Sequence, residues 1–307
     1  MRFRRHPART ESPWKLGGLS VIELGRRVWN EIWDDEVTDR AAAMSYYFLF
    51  SLFPALLFLT ALLGFLPLAG VQERLMSYVA NVLPTDAAQT VQRTLTEVLG
   101  TTRSGLLSLG ALITLWAASN GMASVISTLN IAYDVKEWRP WWKQRLLAIV
   151  LTVAFSLFII ATLALLVFGP KIGAAVAGWL GLGPLFTIAW NVISVPVVIV
   201  CGLVGVGLVY QLAPATGHRW RWVTPGAVLA LGSWLAMSFG LRLYVQYFGN
   251  YSATYGSIGG VILLMLWLYL TSVVLLVGAE VNAEIEHAAR ERGATTAAEE
   301  PKAERAA

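Results

Sequence analysis

Residues 258–279 read IGGVILLMLWLYLTSVVLLVGA, an unbroken apolar run without a charged side chain. A helix rises about 1.5 Å per residue, so a run of this length crosses the roughly 30 Å hydrocarbon core of a bilayer. The run therefore predicts a transmembrane helix. Glu280, Asn282 and Glu284 follow it directly. By the same rise, Glu280 lies about 33 Å from the start of the helix, at the membrane boundary.

The rest of the chain repeats this apolar pattern. Hydrophobic residues make up 56% of the 307 residues and charged residues only 14%, whereas a soluble domain carries about 25% charged residues. We predict an all-α polytopic membrane protein with six transmembrane helices. The predicted spans are 41–66, 105–128, 146–168, 185–209, 225–247 and 258–279.

The spans divide the chain into three regions: a cytoplasmic N-terminal arm at 1–40, a membrane domain at 41–286 and a cytoplasmic tail at 287–307. In the arm, 19–33 places Val21, Leu24, Val28 and Ile32 on one stripe, with Ile22, Trp29 and Trp33 beside it. This pattern predicts an amphipathic helix in the membrane interface. The outer loop 67–104 predicts short helices that shield a cavity or simply pack on the bundle. The charged, small-residue tail predicts disorder.

The positive charges predict the orientation. Of the 23 Lys and Arg residues, 18 fall in the arm, the second and fourth loops and the tail, and four fall in the other two loops. The remaining one, Arg242, lies within the fifth span. Because Lys and Arg accumulate in cytoplasmic loops, both termini are predicted to be cytoplasmic. The net charge of +4 then needs no nucleic-acid partner to explain it.

Motifs for enzymatic chemistry are absent from the sequence. The three histidines lie in separate segments, and we find no P-loop, zinc-ligand pair or nucleophile elbow. The acidic stretch DDEVTD at 34–39 could bind a divalent cation, but a solvated helix cap is the favoured interpretation. We expect no cofactor, no metal site and no enzymatic activity.

Polar residues near the inner ends of the spans are the candidate substrate path. Glu280 and Asn282 are either interfacial anchors or part of a substrate or ion gate. Asn120 either bonds a neighbouring helix or lines the path. Tyr46 and Tyr47 lie two turns into the first span. Together these positions predict a polar cavity open to the cytoplasm.

Three further candidates could shape the backbone of this path. Pro54 and Pro196 lie near the middle of the first and fourth spans, where a proline frees a carbonyl one turn earlier. Broken helices at this depth build many transport sites. Tyr255 lies in a glycine-rich segment at the mouth of the sixth span.

The segment KEWRPWWKQR at 136–145 places three tryptophans among four cations. This composition is typical of residues at headgroup depth. It predicts a membrane anchor, and binding of a lipid headgroup is the alternative.

Three segments carry a resemblance to a known family. The stretches DDEVTDRAAAMSYYFLFSLFPALLFLTALLGFLP (34–67), LWAASNGMASVISTLNIAYDV (115–135) and YGSIGGVILLMLWLYLTSVVLLVGAEVNAEIE (255–286) resemble the YihY/BrkB family of bacterial inner-membrane proteins. The resemblance implies a six-helix protein of the bacterial plasma membrane. The family has carried the label ribonuclease BN, its name links it to serum resistance and virulence, and members have been connected with lipid or solute export.

These observations give one leading hypothesis and two alternatives. The leading hypothesis is a transporter or lipid-translocating protein whose partners are membrane lipids and a lipid or small solute. The first alternative is a non-catalytic scaffold for envelope assembly or serum resistance. The second is a membrane nuclease, which the absence of catalytic residues disfavours. The sequence leaves substrate, energy source and oligomeric state open.

Overall fold

The structure is a computed structural model that describes residues 12–64, 104–180, 184–216, 223–248 and 257–304. These residues contain a short 3-10 segment, Pro13–Gly18, and α-helices, with no strand among them. The all-α class is therefore confirmed for the described part of the chain. The helices are α1 (Val21–Asp34), α2 (Val37–Gly64), α3 (Ser104–Ala132), α4 (Trp141–Leu180), α5 (Pro184–Leu212), α6 (Pro225–Phe248) and α7 (Ser257–Glu304).

Within the described residues, five helical stretches are long and apolar enough to cross a membrane. They are Val37–Leu59, Gly110–Ala132, Trp141–Thr162, Pro225–Tyr247 and Gly259–Arg292. They overlap five of the six predicted spans, all except the fourth. The predicted fourth span, 185–209, lies within the 29-residue helix α5, in which Pro196–Leu212 is apolar. The predicted outer-loop helices at 67–104 lie outside the described residues, apart from residue 104.

The six long helices form a closed ring. Each of α2 to α6 packs against the next helix in the chain, and α7 closes the ring on α2. Most buried apolar side chains lie at the end of the ring where α1 packs, which we call the arm end. Large residues of α2, α3, α4, α5 and α7 fill this core, while small residues let the helices approach closely. The core includes Met44, Ile126, Leu129, Leu276, Ala148, Ala213, Ala227 and Ala279.

Two glycines bring α6 and α7 into direct backbone contact. A Cβ added at Gly226 would overlap the carbonyl oxygen of Gly278 and lie 2.6 Å from Cγ of Asn282. A Cβ added at Gly278 would lie 2.7 Å from the carbonyl oxygen of Gly226. Neither position has room for a side chain, so the crossing of α6 and α7 requires glycine on both helices.

The N-terminal residues pack on the arm-end part of α7. Gly17 has a φ of 57°, which glycine adopts without strain, and a Cβ there would overlap the carbonyl oxygen of Ile285. Leu24 and Val28 of α1 form a second small core with Ile285. Ser20 caps α1 by accepting a hydrogen bond from the backbone N–H of Glu23 at 3.2 Å.

The apolar stripe of α1 is divided between two environments. Leu24 and Val28 are buried against α7, whereas Val21, Ile22, Trp29 and Trp33 are exposed. Val21, which the sequence placed on the same stripe as Leu24, is therefore not part of the packed face. The amphipathic helix predicted at 19–33 is present as a helix, and its exposed apolar half is the surface available to a membrane interface.

The C-terminal end of α7 extends beyond the predicted sixth span. The backbone is helical to Glu304, and disorder of the tail at 287–307 stays a prediction. Glu286 and Arg290, one turn apart, form an ion pair at 3.5 Å, and such pairs stabilise a helix. The boundary drawn at residue 286 thus falls inside a continuous helix.

The glycine crossing gives a first prediction. Gly226→Ala should lower the melting temperature of the detergent-solubilised protein by about 5 °C or more, because overpacking costs about 1–3 kcal/mol. Gly232→Ala, on the same helix with no atom within 4 Å of an added Cβ, should leave it unchanged or raise it. Equal melting temperatures for the two variants would show that α6 and α7 do not touch at this point.

Candidate functional site

The polar residues that follow the apolar run of α7 are buried at the arm end. Glu280, Asn282 and Glu284 all have buried side chains, although simple depth counting placed Glu280 at a wet boundary. Their burial comes from three neighbours: α6, the turn between α3 and α4, and α1 with the start of α2. We treat these three residues and their surroundings as the candidate site.

Asn282 faces α6 and accepts a hydrogen bond from the first turn of that helix. Its side-chain oxygen accepts a hydrogen bond from the backbone N–H of Gly226 at 3.0 Å. Thr224 caps the same helix, accepting a bond from the N–H of Ala227 at 3.2 Å. Tyr133 lies close enough to interact with Asn282. This geometry gives Asn282 a structural task, because N–H groups at a buried helix start need acceptors.

Glu280 faces the opposite side of α7 and has no compensating charge there. The residue is 2% exposed, and its Oε1 atom has no hydrogen-bond partner among the described residues. Its charged neighbours are all carboxylates: Asp35, Glu31, Asp134 and Glu284. An uncompensated buried carboxylate is costly, so this position is the most unusual electrostatic feature of the described chain.

Glu284, one turn after Glu280, is partly compensated. Its carboxylate lies 3.7 Å from Nη1 of Arg27 on α1 and 3.5 Å from Nδ1 of His287. Arg27 also pairs with Glu291 at 3.4 Å. The arm therefore brings a positive charge to Glu284, and none of these ion pairs includes Glu280.

Glu31 of α1 and Asp35 at the junction of α1 with α2 lie near other acidic residues. Burial raises the pKa of Glu31, and the charges of Glu284 and Asp134 raise it further. Burial also raises the pKa of Asp35, with Asp134 as the next cause, against the lowering effect of Arg40. The arm end of α7 is thus a region of negative potential. No group of three or more His, Cys, Asp or Glu side chains in the described part of the chain could hold a metal ion.

A second polar network locks the turn between α3 and α4 onto the end of α5. Nδ2 of Asn130 donates to Glu137 at 2.9 Å, and Oδ1 of Asn130 accepts from the N–H of Ala215 at 2.7 Å. Arg139 pairs with Glu137 at 2.7 Å and donates to the carbonyl of Ala213 at 2.8 Å. Hydrogen bonds from the Arg139 side chain lower the pKa of Glu137 from its ordinary 4.5 to about 2. Sequence reasoning missed Asn130 and Glu137. The partners of Glu137 are the nearby Asn130 and Arg139, whereas Asn130 also bonds Ala215, 85 residues further along the chain.

The structure separates the residues that the sequence grouped into one cavity. Tyr46 and Tyr47 are 53% and 47% exposed on α2, with ring centroids 5.6 Å apart. Asn120 is exposed at the contact of α3 with α4, where it accepts a hydrogen bond from Arg145 at 2.8 Å. Glu280 is enclosed at the arm end. Among the described residues, these side chains therefore occupy separate environments and do not line the common cytoplasmic cavity that we predicted.

Three further residues, Pro54, Pro196 and Tyr255, were predicted to shape the backbone of the substrate path. Pro54 and Pro196 lie inside α2 and α5, and both helices continue through them. Elsewhere in the described helices, the buried hydroxyls of Thr128 and Ser272 bond the carbonyls of Ser124 and Leu268 on their own helices. Oγ of Ser51, one turn before Pro54, is buried without a partner among the described residues. Tyr255 lies outside the described residues.

Comparison with known proteins gives the family. The family described as virulence factor BrkB matches residues 28–303. The chain belongs to this family. The putative ribonuclease-like protein YfkH of Bacillus subtilis (strain 168) is 39% identical over 248 residues, which are 81% of this chain and 90% of that protein. The resemblance inferred from the three sequence segments is thereby confirmed.

More distant BrkB-family relatives are longer than this chain. A UPF0761 membrane protein of Xanthomonas axonopodis pv. citri (strain 306) is 27% identical over 266 residues, 84% of this chain but 60% of that protein. A UPF0761 membrane protein of Stenotrophomonas maltophilia (strain K279a) is 26% identical over 277 residues, 86% of this chain and 61% of its own length. No solved structure matches the chain. The protein is an integral, multi-pass bacterial membrane protein of the BrkB/UPF0761 family.

The network at Glu137 gives a prediction for pH. Its native pKa lies below the unfolded value, so the stability it contributes is present above about pH 4.5 and is lost as the pH falls toward 2. Glu137→Gln should lower the melting temperature at pH 7 by about 2–6 °C. The difference from the unmodified protein should shrink as the pH falls toward 2. Glu23→Gln, at an exposed ion pair, is the control, and an effect of equal size there would contradict the assignment.

Proposed function

We propose that this BrkB-family protein is a transporter or translocating protein for a lipid or small solute in the bacterial inner membrane. In this proposal, six helices cross the membrane, α5 supplies the fourth crossing, and both termini face the cytoplasm. The asymmetry of 18 Lys and Arg residues against four supports this orientation. The arm end is then the cytoplasmic end of the ring.

The observation that carries the proposal is Glu280. Ionisable side chains buried in membrane-spanning helices are rare, and those that occur commonly mark substrate or ion pathways. Glu280 is buried in the stretch Gly259–Arg292, which is apolar enough to span, and four carboxylates surround it. Such a group is available to a cation or proton, or to a cationic part of a substrate. We assign it to the cytoplasmic gate.

The 3-10 segment and α1 cover Glu280, so a route from the cytoplasm to Glu280 must pass them. The 3-10 segment and α1 pack on α7 beside Glu280. Arg27 of α1 pairs with Glu284 and Glu291, so displacement of the arm would break these ion pairs and open the acidic region to the cytoplasm. We propose that the arm is the moving part of the gate, because it packs on α7 beside Glu280 and forms ion pairs at the edge of that contact.

A scaffold is the second candidate, and the exposed half of α1 favours it. Ile22, Trp29 and Trp33 form an apolar surface on a helix whose other side is already packed. Such a surface suits either a membrane interface or a protein partner. We propose that this surface lies in the membrane interface in the transport mechanism and binds a protein partner in the scaffold alternative.

We propose that the protein is not an enzyme. YfkH carries the words ribonuclease-like in its name, and the acidic residues 34–39 are the group here that such an activity would need. Purified protein that cleaves RNA, with the activity lost on substitution of residues 34–39, would replace the transport proposal by a nuclease.

Lipid movement tests the leading proposal. Proteoliposomes should speed the exchange of a fluorescent phosphatidylglycerol between leaflets, measured as loss of fluorescence on adding dithionite. Glu280→Gln should slow this exchange about tenfold or more, since removal of a functional intramembrane charge disables a pathway. Glu300→Gln, the same change near the C-terminal end of the same helix, should not. If the unmodified protein moves neither this lipid nor any solute tried under an imposed gradient, transport is excluded.

Crosslinking distinguishes the scaffold. A photoreactive group at position 29 in cells should capture lipid if α1 lies in the interface. A defined protein adduct, lost on Trp33→Ser and kept on Asn30→Ser, would favour the scaffold. Under that alternative, Glu280→Gln would leave the adduct unchanged, because the exposed half of α1 lies away from α7.

A further inference from the structure

Arg145 is a guanidinium held near the start of α4, with no anionic partner among the described residues. It lies one turn into α4, about 6 Å along the helix from Trp141. The ion pairs of the described residues include none between Arg145 and a carboxylate. The other arm-end arginines discussed above differ, because Arg27 and Arg139 each face a glutamate. The positive charge of Arg145 therefore remains unneutralised.

Neighbouring groups of α3 hold this guanidinium in one position. Nη1 donates to Oδ1 of Asn120 at 2.8 Å, and Nη2 donates to the carbonyl of Trp116 at 2.6 Å. The guanidinium carbon lies 4.0 Å from the centroid of the Trp116 ring, within the range of a cation–π interaction. A snorkelling arginine needs none of these contacts. The side chain is instead preorganised, which lowers the entropic cost of binding a ligand.

Hydrogen-bonding capacity remains on the held guanidinium. Arginine carries five N–H donors in a planar fork, and two of them are used in these bonds. Nε is buried without a partner among the described residues, so one N–H on each of Nη1 and Nη2 is left for a ligand. A planar fork with spare donors matches the oxygens of a phosphate or carboxylate better than a lysine ammonium does.

The residues around Arg145 favour an anion that carries apolar chains over a small soluble anion. Trp141 and Trp142 are exposed beside Arg145, as in the aromatic belt at headgroup depth. On the side away from the arm end, Leu112 and Ile113 lie on the same face of α3 as Trp116, at i−4 and i−3. Leu112 and Ile113 are exposed, and so are Leu146 and Val150 of α4. An anion at Arg145 would thus lie directly above an apolar surface that fits acyl chains.

We propose that Arg145, with Asn120 and Trp116 as positioning residues, binds the phosphate of an anionic phospholipid between α3 and α4. The lipid's chains then cover the exposed apolar surface of these two helices. This inference does not rest on the proposed transport function, because a lipid can bind here without crossing the membrane. It gives Asn120 a role different from the cavity that the sequence predicted.

Native mass spectrometry of the purified chain in detergent tests the site. The probe is dioctanoyl phosphatidylglycerol, titrated into delipidated protein. Arg145→Gln should weaken the apparent Kd about tenfold, because it removes a charge-assisted interaction with phosphate. Arg145→Lys should fall in between, since lysine keeps the charge and loses the fork. Lys143→Gln, an equal loss of charge two residues away on an exposed side chain, should change the Kd by less than about twofold.

Two further binding measurements make the result decisive. Dioctanoyl phosphatidylcholine and inorganic phosphate should each bind several-fold more weakly than the anionic lipid. Equal binding of inorganic phosphate would overturn the lipid assignment, and equal lipid binding by Arg145→Gln and the unmodified protein would overturn the site. If Arg145→Gln does not fold, Trp116→Leu takes its place. That variant keeps the charge but removes the stacking, and unchanged lipid affinity in it would equally refute the proposal.

Discussion

The contact of Gly226 with Gly278 sets the rotation of α7, and the polar chemistry of the arm end follows from that rotation. Residues four apart lie on one face of a helix, whereas residues two apart differ by about 200°. Because Gly278 must face α6, Asn282 faces α6 as well and accepts the N–H of Gly226. Glu280 must then face the other way, toward the carboxylates Glu31 and Asp35. One backbone contact thus divides neighbouring polar residues into a helix cap and a buried charge.

The arm completes the enclosure that this rotation begins. Gly17 and Gly18, both with positive φ, let the chain turn closely over α7, and Leu24 and Val28 then bury Ile285. Arg27 compensates Glu284 but leaves Glu280 without an opposite charge. The same packing that removes water from Glu280 therefore withholds a counter-charge from it, which is why we regard the arm as part of a gate and not only as an anchor.

Much of the fold could be predicted from the sequence, because length and hydropathy are one-dimensional properties. The apolar runs gave five spans that the structure supports, and three local segments gave the family. Burial could not be predicted, because it depends on how helices rotate and which partners cover them. Depth counting placed Glu280 at a wet boundary, yet the arm and the turn after α3 exclude water there. For Asn120 the sequence left open a bond to a neighbouring helix or a place on the path, and only the packing of α3 on α4 identifies its partner as Arg145.

The described part of the ring contains two ionisable side chains without an opposite charge beside them, Glu280 and Arg145. Arg145 joins α4 to α3 through Asn120 and Trp116, whereas Glu280 has no comparable structural role, because a lone buried carboxyl group is costly. Glu280 is enclosed and can receive only a small or cationic group, whereas Arg145 lies beside exposed tryptophans and can receive a large anionic one. If they shared a ligand, the guanidinium and the carboxylate would pair with each other. Glu280 and Arg145 lie on different helices and in different surroundings, so the two side chains do not neutralise each other.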